Sequence, residues 1–190
     1  FDKFPIFRVN STSIYIPKFF DYKLLFNHID NLSPPNQIIS KERNGQDISN
    51  DNNIIQLRPY QEKIVKHVFK ELQKNDSCIL CAQCGQGKTV MALSILLKLQ
   101  KKTIILVHKM FLLEQWKDRL EQFCPSLRIG HIQQDTIRTK NCHVVLAMIQ
   151  SLCSRNYDRK IFDDFGFCIV DECHHICSRI FSKVMFTVAT

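Results

Sequence analysis

The chain has 190 residues, 45% hydrophobic and 23% charged, the balance of a globular protein with one well-cored domain and room for a small appendage. No apolar run approaches the ~20 residues that a bilayer-spanning helix needs, so a membrane protein or a membrane partner is not expected. The formal net charge of +8 is uneven: residues 1–56 hold six Lys or Arg against six Asp or Glu, residues 57–190 hold 20 against 12, and this second part is the expected polyanion binder.

The first 32 residues read as two short strands, "FPIFRV" (4–9) and "SIYIP" (13–17), followed by "DYKLLFNHIDNL" (21–32) with apolar residues at helical spacing. Residues 33–53 are polar and turn-rich with adjacent prolines, which is linker composition, so a boundary falls between a small α+β domain at 1–53 and a second unit at 54–190. In that unit helices alternate with short, nearly unbroken apolar strands. Helices are expected at 58–75, 88–100 and 110–123, and strands at "SCILCA" (77–82), "TIILV" (103–107), "RIGHI" (128–132), "CHVVLAM" (142–148) and "FGFCIV" (165–170). Strands without a polar face are buried on both sides, which predicts an α/β fold with a mostly parallel sheet and ligands at the carboxyl ends of its strands.

"AQCGQGKT" follows an apolar run and opens a helix, matching the phosphate-loop pattern with Ala82 in place of the usual first glycine. Gly85 and Gly87 let the backbone N–H groups of the stretch from Cys84 through Gln86 turn toward phosphate, and the following helix adds its positive end. Lys88 then reaches the outer phosphates of ATP, and the Thr89 hydroxyl ligates Mg²⁺. "FCIVDE" supplies the second half: Asp171 at the end of a buried strand to hold Mg²⁺, and Glu172 as the base that orients and deprotonates water. "LRPYQ" (57–61) precedes the loop; the amide of Gln61, beside Arg58, has the geometry to pair with adenine, or the motif is simply a helix start with proline in its first turn.

Nine cysteines, odd in number and mostly within apolar runs, behave as small buried hydrophobes and indicate a reducing compartment. Cys78, Cys81 and Cys84 have the spacing of some iron–sulfur sites, and Cys173, His174, His175 and Cys177 can be drawn as a zinc site. Geometry opposes both, because residues three apart on a strand face opposite sides and consecutive residues do not easily converge on one tetrahedral ion. Buried thiols are the simpler account of Cys78, Cys81 and Cys168.

Together "LRPYQ", "AQCGQGKT", "LVHKMFLLEQWKDRL", "VVLAMIQSL" and "IVDECHH" resemble the first RecA-like lobe of superfamily 2 DExH helicases and translocases. The likeness is to the XPB-like and restriction-motor-like branch, and within it to helicases of large cytoplasmic DNA viruses, among them the poxvirus transcript-release helicase and its African swine fever virus relative. The resemblance implies ATP and Mg²⁺ as cofactors and gives Gln61 to adenine, the segment from Gly85 to Thr89 to phosphate and metal, Asp171 to the metal and Glu172 to water. It implies that His174 links the ATP state to nucleic acid, and that His108, Lys109, Gln150 and Ser151 contact DNA, with RNA possible. Further implied are a second RecA-like lobe carrying an arginine finger, transcription or replication machinery as partners, and a viral factory in the host cytoplasm as the location. The chain starts at Phe1 and ends in "TVAT", in which Val188 replaces a hydroxyl residue, so an N-terminal piece and the motif that couples hydrolysis to movement are expected outside it. An isolated first lobe is accordingly expected to bind ATP weakly and hydrolyse it poorly. The alternative is a catalytically silent nucleic-acid-binding module, disfavoured by the presence together of Lys88, Thr89, Asp171 and Glu172.

Overall fold

The computed structural model describes residues 55–75 and 77–174, together with residues 8, 9, 14, 15, 184, 185 and 188. Two short strands, β1 (Arg8–Val9) and β2 (Ile14–Tyr15), pair antiparallel within the runs expected to be extended. The expected helix at 21–32 and linker at 33–53 lie outside the described residues.

Helix α1 (Pro59–Asn75) starts where its sequence provides for a start. Proline opens it, the Arg58 carbonyl accepts from the Glu62 N–H at 3.0 Å, and the Gln61 side chain reaches back to accept from the Arg58 N–H at 2.9 Å. This is half of a capping box, satisfying a donor that a helix start otherwise leaves bare. Its apolar face carries Val65 and Val68 against Met91 and Ile95 of α2 (Lys88–Leu99). Helix α2 is closed by Gln100 in the left-handed region at φ 52, with its N–H on the Leu96 carbonyl at 3.1 Å.

Five strands follow: β3 (Thr103–Val107), β4 (Ile129–Gln133), β5 (Thr136–Arg138), β6 (Val144–Met148) and β7 (Phe167–Val170), in the order β5-β4-β6-β3-β7. All neighbours run parallel except β5, which returns antiparallel against β4. Helix α3 (Met110–Phe123) links β3 to β4, and α4 (Ile149–Ser154) follows β6. Every residue of β3 is buried, and its side chains alternate between two cores. Ile105 and Val107 join Leu93, Leu96, Leu113, Trp116 and Leu120 on the face covered by α2 and α3, while Ile104 and Leu106 join Val145, Ala147, Phe162 and Phe165 on the other. Val188, from the final "TVAT", is buried in that second core with Val184.

The sequence reading misplaced two features. "SCILCA" is not a strand: residues 77–83 have no regular structure apart from a turn beginning at the Cys84 side, and Ile79 is 80% exposed while Leu80 and Ala82 lean on the α1–α2 core. Its apolar composition suits a strand, but among the described residues no neighbour offers it a ladder of hydrogen bonds, and composition alone does not hold a strand. Cys78 and Cys81 are therefore exposed rather than buried, whereas burial pushes the thiols of Cys124 and Cys168 up to about 11 and about 12. Strand β5 was not anticipated, because the two-residue connection from β4 is Gln134–Asp135, with Gln134 at φ 51, and carries none of the Asn-Gly or Asp-Gly signal of tight hairpins.

Two expectations test this packing. A Cβ on Gly130 of β4 would stand 2.0 Å from the Arg138 carbonyl oxygen and 2.8 Å from the Cys142 sulfur. Gly130→Ala should therefore force β5 away at a cost of about 2 kcal/mol, lowering the midpoint of a circular-dichroism melt by roughly 4–8 °C; an unchanged midpoint would refute the contact. Burial and the nearby Arg128 guanidinium hold the His143 imidazole below its ordinary value of 6.5. The unfolded chain then binds the proton more readily, so stability from this group is full above 6.5 and is lost as pH falls through the folded value. Melts between about pH 5 and 8 should show a loss of stability on the acid side that shrinks in His143→Gln.

Candidate nucleotide site

The parallel register decides what meets at the carboxyl edge of the sheet. Leu106 of β3 stands opposite both Ala147 of β6 and Val170 of β7, so the chain leaves all three strands at one level, into His108–Lys109, Ile149–Gln150 and Asp171–Glu172. Asp171 continues the ladder for one more residue, its N–H donating to the Leu106 carbonyl at 3.0 Å. Its two carboxylate oxygens each have a donor: Oδ2 accepts from the indole Nε1–H of Trp116 at 2.8 Å, and Oδ1 from the Glu172 N–H at 3.0 Å. Glu172 itself lies at φ 50, a left-handed conformation that costs a glutamate of order 1–3 kcal/mol and is concentrated at functional sites. Its Oε2 lies 3.3 Å from His174 Nδ1, which makes an ion pair when that imidazole is protonated. His175 and Cys177 lie outside the described residues.

The phosphate-loop segment turns through two left-handed glycines, Gly85 at φ 82 and Gly87 at φ 79, and Gly87 caps α2 without a side-chain hydrogen bond. The first N–H groups of α2 are thereby directed to the space that an anion takes at a helix start. The turn is held from within and from α1. Gln83 N–H donates to Gln86 Oε1 at 3.1 Å, and the Gln86 carbonyl accepts from Gln61 Nε2 at 2.9 Å and from the Tyr60 hydroxyl at 3.1 Å. Gly87 lies at φ 79, which calls for glycine, and a Cβ there would displace the Gln61 amide, whose Nε2 stands 2.5 Å from it. Lys88 Nζ donates to the Ala82 carbonyl at 2.9 Å, an ammonium folded back over its own loop where phosphate would offer stronger acceptors. Cys84 is exposed in the turn.

Thr89 and Asp171 are hard oxygen donors of the kind Mg²⁺ takes, and each Asp171 oxygen keeps acceptor capacity beyond its one protein hydrogen bond. Among the described residues no three or more His, Cys, Asp or Glu are gathered around a common point for a metal. A pair of oxygen donors completed by phosphate and water is the arrangement that suits magnesium.

The remaining sequence candidates divide. Gln61 is 5% exposed with its amide engaged at both ends, so pairing with adenine requires exchange of the bonds to Arg58 and Gln86. Lys109 is exposed at the start of α3, with Nζ 5.8 Å from the centre of the Phe111 ring, itself 61% exposed. His108 is buried, and the Gln150 amide donates to its backbone carbonyl. The Ser151 hydroxyl accepts from the Gln134 N–H at 3.0 Å and is buried. Ser151 is thus turned inward by α4, which begins directly at the end of β6, while Gln150 stays exposed beside His108. Trp116 and Tyr60 were missed. Their apolar rings fit the helix faces, and nothing local in the sequence announces hydrogen-bond partners 55 and 26 residues away.

A family model described as the type III restriction enzyme, res subunit, matches residues 54–188. The chain is 34% identical over 183 residues to L396 of Acanthamoeba polyphaga mimivirus, named as a candidate ATP-dependent RNA helicase, with 95% of this chain and 33% of that protein covered. It is 26% identical over 158 residues to the XPB/SSL2 helicase/translocase subunit of the general transcription and DNA repair factor IIH of Saccharomyces cerevisiae, covering 70% of this chain and 17% of the relative. The chain therefore spans about a third or less of these relatives. Among solved structures it is similar to the Sulfolobus solfataricus SWI2/SNF2 ATPase core in complex with dsDNA, with TM-score 0.57 and 19% identity over 75% of this chain and 31% of the other. The UvsW helicase of bacteriophage T4 gives TM-score 0.56 and 21% identity over 75% of this chain and 52% of that one. A RecA-like α/β sheet, a glycine-turned Gly-Lys-Thr helix start and an Asp-Glu strand end thus coincide with one family across most of the chain, and the chain belongs to the helicase-type family of the type III restriction enzyme res subunit.

Proposed function

We propose that the chain is the first motor lobe of an ATP-driven helicase or translocase acting on nucleic acid, with residues 54–190 as the lobe and 1–53 as a separate small domain. The observation that carries this reading is that a loop turned through Gly85 and Gly87 opens α2, which packs on β3, while Asp171 and Glu172 follow β7, the half-buried end strand paired with β3, at the sheet's carboxyl edge. Lys88 exchanges the Ala82 carbonyl for the outer phosphates, and the N–H groups opening α2 take the remaining charge. Thr89 and Asp171 would hold Mg²⁺, which would neutralise charge on the phosphates. Glu172, steadied by His174, accepts a proton from water as its oxygen bonds to the terminal phosphorus and the bond from that phosphorus to the bridging oxygen breaks, leaving ADP and phosphate. Arg58 and Gln61 border the adenine position.

A second RecA-like lobe would complete the site and alternate its grip with this one as ATP binds and is spent. Exposed Lys109 beside Phe111 is the described surface best suited to a nucleic-acid backbone, with His108 behind it. DNA is the proposed track, supported by what the Sulfolobus structure holds; RNA is the second reading, favoured by the name of the mimivirus relative. Work in viral transcription or replication, in a reducing cytoplasmic factory, fits the kinship with viral proteins.

In the full-length protein Lys88→Ala should lower phosphate release stimulated by duplex DNA, single-stranded DNA or RNA by at least about 10²-fold. Glu172→Gln should lose about 10²–10⁴-fold while still binding ATP. Turnover at the wild-type rate in both variants, on every nucleic acid, would leave a silent binding module as the account. Gly87→Ala should weaken ATP binding in a fluorescent-nucleotide titration, because its φ of 79 is strained for alanine and its Cβ would push the Gln61 amide off the Gln86 carbonyl; unchanged affinity would count against the loop geometry.

A further inference from the structure

We infer that Trp116 is a positioning residue for the metal-holding carboxylate: its indole N–H fixes the rotation of Asp171 and so sets how tightly the site takes a divalent cation. The inference rests on the reading of Asp171 as a metal ligand. Trp116 is 4% exposed, one face of its ring packed in the core formed by α2, α3 and the sheet. A core of that composition is served by any large apolar ring, yet this indole carries a donor, and a buried donor requires an acceptor. The acceptor is Asp171 Oδ2 at 2.8 Å, across 55 residues of sequence. The other oxygen accepts from the Glu172 N–H at 3.0 Å, and the Asp171 main chain is locked to Leu106 at 3.0 Å. Backbone, one oxygen and then the second are thus held from three directions, and Trp116 provides the only one of the three that comes from a side chain.

Without that donor only the Glu172 N–H restrains the carboxylate's last torsion, and a cation must then order it further. Partners of metal ligands commonly matter by about 10–100-fold in affinity. Trp116 also stands two turns along α3 from Lys109, which opens that helix at the proposed nucleic-acid surface, so one rigid helix touches both the exposed surface and the carboxylate.

The test uses Mn²⁺ as the cation with the full-length protein and the non-hydrolysable nucleotide AMP-PNP, free Mn²⁺ being counted by electron paramagnetic resonance. Trp116→Phe keeps the ring and removes the N–H; it should weaken Mn²⁺ about tenfold while metal-free nucleotide binding stays the same. Equal Mn²⁺ affinity in Trp116→Phe and wild type, with Asp171→Asn weakened, would overturn the inference and leave the ATPase reading standing. Wild-type affinity in Asp171→Asn would overturn both. Should Trp116→Phe fail to fold, the indole ¹⁵N–¹H resonance of Trp116 decides: Mn²⁺ with AMP-PNP should broaden it in wild type and leave it sharp in Asp171→Asn, and a resonance sharp in both overturns the inference.

Discussion

The site depends on one constraint, that β3 is hydrogen-bonded along both edges and buried on both faces. A strand in that position has no freedom to slide, because a one-residue shift would exchange Ile104 and Leu106 for Ile105 and Val107 and turn each set into the wrong core. Its fixed register passes to β6 and β7 through parallel ladders, so His108, Ile149 and Asp171 emerge side by side. The chemistry proposed for Asp171 and Glu172 is in this sense a consequence of the apolar residues of β7, one to four positions before Asp171, that β3 holds in register.

The glycine turn is tied to the start of α1. Gln61 spends its carbonyl oxygen on the Arg58 N–H that begins the helix and its amide hydrogens on the Gln86 carbonyl of the loop. One side chain thereby ties the helix start to the glycine turn, and Tyr60 doubles the attachment. Under the proposed function, a nucleotide drawing on Gln61 would loosen that tie and so be felt by the glycine turn. Lys88 adds a second adjustable contact, since its present acceptor is a neutral carbonyl.

The other polar groups of the carboxyl edge show how the same edge divides its labour. Gln150 and Ser151 are spent on holding the His108 carbonyl and the Gln134 N–H, which fixes the loops on either side of them. Lys109 and Phe111 remain outward. Buried Ser151 shapes the edge, while Gln150, Lys109 and Phe111 stand exposed on it.

Much of this was legible in the residues. Unbroken runs such as "TIILV" and "VVLAM" require burial on both faces and hence a parallel sheet, and the turn through Gly85 and Gly87 into a helix and Asp-Glu at a strand end were placed where the residues put them, because each of these depends on neighbours close in sequence. The fate of "SCILCA" was not legible, since an apolar run becomes a strand only if another strand offers it hydrogen bonds. Nor were the Trp116–Asp171 bond, the Gln61–Gln86 tie or the inward turn of Ser151. Local chemistry determined which groups the chain possesses and which segments are buried; only the packing of distant segments decided which donor meets which acceptor, because a hydrogen bond needs a partner within about 3 Å and the sequence does not record distance across the fold.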